Sequence, residues 1–166
     1  TFENPVRNTS TGMWHINVSV PSDSLFELFD LVISISDGIS SSELIEKNAV
    51  QVWNEYPSNL KLVHITDTHI RANSPDADIR LLSALYQASA GRANLIIITG
   101  DLCHYGDVNS LRRFYNLLSH SSVPVFVLPG NHDTNNDEFT NYMSFFGDDY
   151  YTVNLGFDIF LIMANA

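Results

Sequence analysis

The chain has 166 residues, 45% of them hydrophobic and 11% aromatic, enough to bury a core in one or two domains and too many for a disordered polypeptide. Eight basic against nineteen acidic residues give a formal net charge of −11, a poor match for nucleic-acid backbones or anionic membrane surfaces, so neither is expected as a partner. The one cysteine, Cys103, excludes an intrachain disulfide and leaves the redox compartment unread. No apolar run reaches the roughly 18 residues of a spanning helix, and the N-terminus lacks the layout of a signal peptide, although a mature secreted chain would look the same. Asn8-Thr9-Ser10 and Asn17-Val18-Ser19 match the glycosylation sequon. With the acidity and the β-rich start they lean towards an extracytoplasmic setting, a cytoplasmic one being left open.

In chain order, residues 1–58 carry all-β patterning. Trp14 to Val20, Phe29 to Ser36 and Ala49 to Trp53 read as strands separated by Pro, Ser, Asp and Gly clusters. Three or four strands are too few for a whole sandwich, so this segment is expected to be a partial β-sandwich-like domain packed beside the rest. From residue 59 to 166 the pattern changes to alternating strands and helices. Leu62 to Thr66, Leu95 to Thr99 and Val123 to Leu128 are apolar, mostly β-branched runs expected to be buried on both faces. Between them, Pro75-Asp76 opens a helix with Ile79, Leu82, Leu85 and Tyr86 on one face, Asp76 and Asp78 at its positive end and Gly91 as its stop. Asp107 caps a second helix, with Leu111, Phe114, Tyr115 and Leu118 as its stripe. A short acidic helix is expected around 136–146. A strand pair over Tyr150 to Asn154 and Phe157 to Met163, turned at Leu155-Gly156, closes the chain.

The resulting β-α-β-α-β order predicts parallel strands, because such crossovers are almost always right-handed. Each strand runs directly into a polar segment: Asp67-Thr68-His69, Gly100-Asp101 and Gly130-Asn131-His132-Asp133. All three then emerge at one carboxyl edge, where open α/β sheets bind ligands. Any one of Asp67, Asp101 or Asn131 could be a helix cap or turn former. The coincidence of residue type, order and strand-end placement argues for a metal centre instead. Other histidines have plainer readings: His64 and His15 as hydrogen-bonded strand residues, His120 at a helix end. His104, just after Asp101, is a candidate for touching substrate. Cys103 reads as a small buried hydrophobe.

On these three blocks the chain resembles the calcineurin-like metallophosphoesterase family. Steps of 34 residues from Asp67 to Asp101 and 30 from Asp101 to Asn131 suit one βα unit each. The resemblance implies an α/β fold of the four-layer αββα type, here the truncated N-terminal part of that domain, with the parallel-sheet core. It implies that Asp67 and His69 bind one metal, Asp101 bridges two, and Asn131 binds the second. His132 would stand near the substrate phosphate as a catalytic group, with Asp133 beside it fixing the imidazole. The substrate-binding set is then His104, Asn131 and His132. Two divalent ions, drawn from Mn, Fe, Zn or Co, would hydrolyse phosphomonoesters or phosphodiesters by a metal-activated hydroxide.

The family completes its centre with a further histidine and a Gly-His-x-His block, and beyond His132 this chain has no histidine. The first metal site keeps Asp67, His69 and Asp101 while the second keeps only Asp101 and Asn131, so at most one ion is expected to be well held. The purple acid phosphatase branch resembles Gly-Asp-x-x-Tyr in its second block. Here that tyrosine position is His104, which disfavours the branch, although a β segment ahead of the catalytic domain shares its layout. Alternatives are a degenerate member acting as a binding module, and a nuclease member, the latter disfavoured by the acidity.

Overall fold

The computed structural model describes residues 3–9, 14–135, 138–155 and 158–163. Gly156, where the last strand pair is expected to turn, Ser10 of the first sequon and Asn136 lie outside them. Three strands, β5 (Leu62–Thr66), β6 (Leu95–Thr99) and β7 (Val125–Val127), form a parallel sheet in the order β5-β6-β7. The crossovers are α1 (Asp76–Ala90) and α2 (Val108–Leu118), as the right-handed rule requires. Ahead of them stand two separate antiparallel pairs: β1 (Val6–Arg7) with β2 (Trp14–His15), and β3 (Leu28–Ser36) with β4 (Ser41–Gln51). After β7 come α3 (Thr140–Phe146) and the antiparallel pair β8 (Tyr150–Leu155) and β9 (Asp158–Met163). Neither β3 nor β4 interleaves with the parallel sheet, and no helix among the described residues is long and apolar enough to cross a membrane.

The strand order explains a departure from expectation. Because β5, β6 and β7 follow one another in a single direction, both right-handed crossovers fall on the same face. There Ile96, Ile98 and Val127 form one cluster with Leu81, Leu85, Leu111 and Phe114, against which Val63 and Ile65 pack. Leu62, His64 and Thr66 of the edge strand point the other way and are exposed. The strand at 62–66 is therefore not buried on both faces, and His64 is a hydrogen-bonded but solvent-facing residue, its Nε2 2.7 Å from Thr99 Oγ1.

Helix α1 also turns differently from its expected stripe. Ala77, Leu81, Leu85 and Ala88 are buried, whereas Ile79 and Tyr86 are 67% and 75% exposed. The seam at i, i+4, i+8 and i+11 is a good helical stripe, and its two alanines hide it from a reading that looks for large side chains. Asp78 is buried on this seam because Arg113 of α2 meets its Oδ2 through Nη2 at 2.6 Å and Nε at 2.8 Å. Gly91 caps the helix with an ordinary φ of −73°, and the left-handed turn falls on Arg92 at φ 56°.

In α2, Ser110, Leu111, Phe114 and Leu117 are buried, with Tyr115 and Leu118 at the margin. The third expected strand proves to be the end of the eleven-residue β4, whose Ser-Ser-Glu start faces water and lacks strand formers. Trp53 lies outside it. The β3–β4 hairpin docks on the end of α2: Asn48 donates from Nδ2 to the Ser121 carbonyl at 2.9 Å, and the Tyr115 hydroxyl donates to Glu46 at 3.1 Å. The expected strand over Trp14 to Val20 shortens to Trp14–His15, since Trp14, Ile16 and Val18 remain exposed and bury nothing that would hold it. Helix α3 starts at Thr140, four residues later than expected, and its wholly buried Tyr142 donates to the Val127 carbonyl at 3.0 Å. Most aromatics from Phe139 to Tyr151 pack, as with Tyr142 against Phe146 at 5.2 Å between ring centroids, whereas Tyr150 is exposed.

Asp107 is the N-cap of α2, its Oδ1 accepting the Asn109 and Ser110 amides at 3.0 Å each and its Oδ2 the Ser110 hydroxyl at 2.6 Å. Burial works against its ionisation, but these hydrogen bonds outweigh it and hold the carboxyl below its ordinary 3.8. Asp107→Ala should lower stability by about 1 kcal/mol in urea denaturation at neutral pH. The depressed pKa sets the sign: the contribution is complete above the unfolded value and is lost as pH falls through the folded one, so wild type and variant should converge in acid.

Candidate metal centre

The site is built where β5, β6 and β7 end. Beyond Thr66 the chain stays beside the β6 extension, with the Asp67 amide on Thr99 O at 3.3 Å, the His69 amide on Asp101 O at 3.0 Å and the Ile70 amide on Leu102 O at 2.9 Å. It does so with Asp67 and His69 both left-handed, at φ 54° and 47°, and Gly100 opposite them at φ 73°. Non-glycine residues held there cost about 1–3 kcal/mol each and persist when their surroundings fix them, a condition met most often at functional sites. Thr68 secures the loop by donating to Leu102 O at 2.7 Å, and the Thr66 hydroxyl donates to the Asp67 carboxylate.

The third loop closes on the second. Asp101 Oδ1 accepts the His132 amide at 3.0 Å, and Gly130 lies so close that an added Cβ would sit 2.5 Å from the Asp101 amide nitrogen and against its carboxylate. Gly106 is a second close approach: a Cβ there would meet the carbonyls of Asp133 and Thr134. The sequence reading did not single out Gly106, and nothing local to it carries the signal, because the crossing chain is 27 residues away.

These loops bring one donor atom each of Asp67, His69 and Asp101 within 4.8 Å of one another. His69, His104 and His132 form a second such group, sharing His69. His69 Nε2 is 3.6 Å and His132 Nε2 3.9 Å from Asp101 Oδ2, whose side chain is only 13% exposed. Ring centroids are 5.1 Å apart for His69 and His132, 5.4 Å for His69 and His104, and 5.5 Å for His104 and His132. The His69 Nδ1 is buried without a hydrogen-bond partner. Mixed carboxylate and imidazole donors converging in this way fit a divalent transition cation. Asn131 opens the short 3-10 turn Asn131–Asp133, one residue before the His132 amide that Asp101 holds.

Two expected roles change. Asp133 does not touch the His132 ring: it is wholly buried and its carboxylate accepts the amides of Leu102 at 2.9 Å, Cys103 at 2.8 Å and Gly130 at 2.9 Å. Burial pushes it up to about 6 against the pull of those amides. It is a clamp between loops and not the partner of the His132 imidazole that the sequence led us to expect. The imidazole of His132 is fixed instead by the His104 carbonyl, 3.0 Å from Nδ1, which must therefore carry the proton. His104, expected only as a possible substrate contact, stands inside the histidine cluster. Desolvation, the Arg71 guanidinium and the two neighbouring histidines lower its pKa, while Asp101 opposes them. Cys103 is buried as expected, and burial raises its thiol pKa.

A parallel three-stranded sheet whose carboxyl edge gathers carboxylates and imidazoles defines an α/β protein with a candidate metal site at that edge. Over residues 60–165, nearly two thirds of its length, the chain matches the calcineurin-like phosphoesterase family, and it belongs to that family. It is 30% identical over 83 residues to a probable cyclic nucleotide phosphodiesterase of Vesicomyosocius okutanii, covering 48% of this chain and 36% of the relative. It is also 30% identical over 76 residues to the UDP-2,3-diacylglucosamine pyrophosphatase LpxG of Chlamydia muridarum, covering 45% of this chain and 22% of the relative. The chain thus spans about a third or less of the length of these curated relatives. Its fold is similar to that of a purple acid phosphatase from yellow lupin (Lupinus luteus) seeds, with a TM-score of 0.50 and 12% identity over 75% of this chain and 26% of that one.

Gly130→Ala tests how tightly the second and third loops are meshed. With backbone on the other side of the contact, the methyl group can be accommodated only by moving the loops apart. Stability in urea should fall by about 1–3 kcal/mol.

Proposed function

We propose that this chain carries the metal-binding half of a phosphoesterase centre that hydrolyses phosphate esters or diesters. The observation that carries the reading is the convergence of Asp67, His69 and Asp101 within 4.8 Å on strained, hydrogen-bonded loops at the sheet edge. In the proposal Asp67 and His69 hold one divalent ion, Asp101 holds that ion and a second, and Asn131 contributes to the second. Bound there, such ions supply Lewis acidity at the phosphoryl group and a nucleophile at neutral pH. The β3–β4 hairpin docks on the end of α2. The names of the relatives favour a diester or an anhydride substrate over a simple monoester.

His132 serves the departing oxygen. Its Nδ1–H is committed to the His104 carbonyl, so a proton can leave only from Nε2, which lies 3.9 Å from Asp101 Oδ2. His132 acts as general acid, and its amide bond to Asp101 keeps the ring at a fixed place relative to the ligands.

Titration of the chain with manganese, followed by calorimetry, should show a single well-bound ion, and Asp101→Asn should abolish it. Tight manganese binding that survives this substitution would overturn the ligand assignment. In a longer chain that also carries the further histidine and the Gly-His-x-His block, across a series of aryl and alkyl phosphate esters, His132→Ala should keep its manganese yet lose about 100- to 10,000-fold on alkyl esters. On nitrophenyl esters, whose leaving group needs little help, the loss should be much smaller. Equal losses would make His132 an electrostatic stabiliser, and a loss of manganese would make it a ligand.

A further inference from the structure

Beside the histidine cluster a groove of about 1080 Å³ runs along α2, lined among others by Arg71, Tyr105, Asp107, Arg112, Arg113 and His120. A chain of net charge −11 thereby places three of its eight lysines and arginines on one concavity. Arg113 is committed to Asp78 and, through Nη1, to the Ala72 carbonyl at 3.0 Å. Asp107 is committed to the amides and hydroxyl of its own helix. The cations left to meet a ligand are Arg71 and Arg112: both are exposed, and among the described residues neither makes an ion pair.

Arg71 joins the groove to the cluster. Its Nη2 lies 3.2 Å from His104 Nε2, so the guanidinium stands one imidazole away from His69 and His132. Its backbone is built in, not loose. The Ile70 amide bonds to Leu102 O at 2.9 Å, the Ala72 amide to Ser110 Oγ at 3.2 Å, and the His104 amide to Ile70 O at 2.9 Å. A guanidinium held between the histidine cluster and the groove suits a planar two-point contact with an anion.

Resting on the phosphoesterase reading above, we infer that this groove receives a second phosphoryl group, so that among phosphate substrates Arg71, with Arg112 further along α2, selects phosphoanhydrides. In the reaction a bond forms from water oxygen to the phosphorus at the cluster and the bridging P–O bond breaks. The electron pair leaves with the second phosphate and the proton of the attacking water passes to solvent. A departing phosphate is weakly basic and needs fixed positive charge more than a proton, which is what Arg71 offers where His104 meets the groove.

The test is calorimetric binding of methylenediphosphonate and of methylphosphonate to the chain in EDTA, where metal chelation cannot create a preference. Methylenediphosphonate should bind about ten- to a hundredfold tighter, the range of one charge-assisted pair. Arg71→Gln should bring the two within about threefold, and Arg112→Gln should reduce the preference in part. Lys61→Gln removes the same charge at the opposite end of β5 and should leave the preference intact. No preference in the wild type, no measurable binding, a preference that survives Arg71→Gln, or an equal loss in Lys61→Gln would each overturn the inference. Because the binding is measured without metal, such a failure leaves the manganese result untouched, and failure of the manganese titration leaves this one standing.

Discussion

The carboxylate of Asp133, with no access to water, is what the rest of the site depends on. It accepts one amide from its own loop, at Gly130, and two from the neighbouring loop, at Leu102 and Cys103. Burying an ionised carboxylate costs several kcal/mol, and it is tolerated only when its lone pairs are met by well-placed donors. Three amides converging on two oxygens meet that condition, and together they tie the two loops to each other. The arrangement that satisfies Asp133 also sets Gly130 against Asp101 and directs the His132 amide at the Asp101 carboxylate. The conversion of chain topology into a rigid edge is therefore electrostatic.

Against this rigid pair of loops the first loop is held in tension. Asp67 and His69 adopt left-handed backbones, and each amide between residues 67 and 70 that could let the loop relax, at Asp67, His69 and Ile70, is tied to a carbonyl of the 99–102 segment. Asp, Asn and His tolerate this conformation better than bulkier residues, so the same side chains that suit a cation also suit the turn. Coordination chemistry and backbone geometry thus restrict these positions together.

Charge is distributed with the same economy. Carboxylates crowd the sheet edge, while Arg71, Arg112 and Arg113 lie along α2 and the loop pinned to it. Arg113 has a structural task, since it neutralises Asp78 on the seam of α1 and at the same time ties α2 to the 71–74 loop. That leaves Arg71 and His104 at the boundary between an acidic edge and a basic groove.

What the sequence determined by itself was the order and placement of the catalytic-domain elements. Apolar β-branched runs specified the three parallel strands, Asp107 announced its helix, and the order of strand-end polar blocks placed Asp67, His69, Asp101, Asn131 and His132 on one edge. Right-handed crossovers follow from backbone chirality and need no tertiary information. Only the tertiary structure decided which face each strand turns to solvent, because that depends on the helices sharing one side of the sheet. It decided the seam of α1 as well, where Ala77 and Ala88 outrank Ile79 and Tyr86 through contact and not hydrophobicity. It also recast Asp133 as a buried clamp and brought Arg71 to His104, 33 residues apart in the chain. Hydrogen bonds between distant loops have no periodicity and leave no local trace. They exist only once the chain has closed on itself.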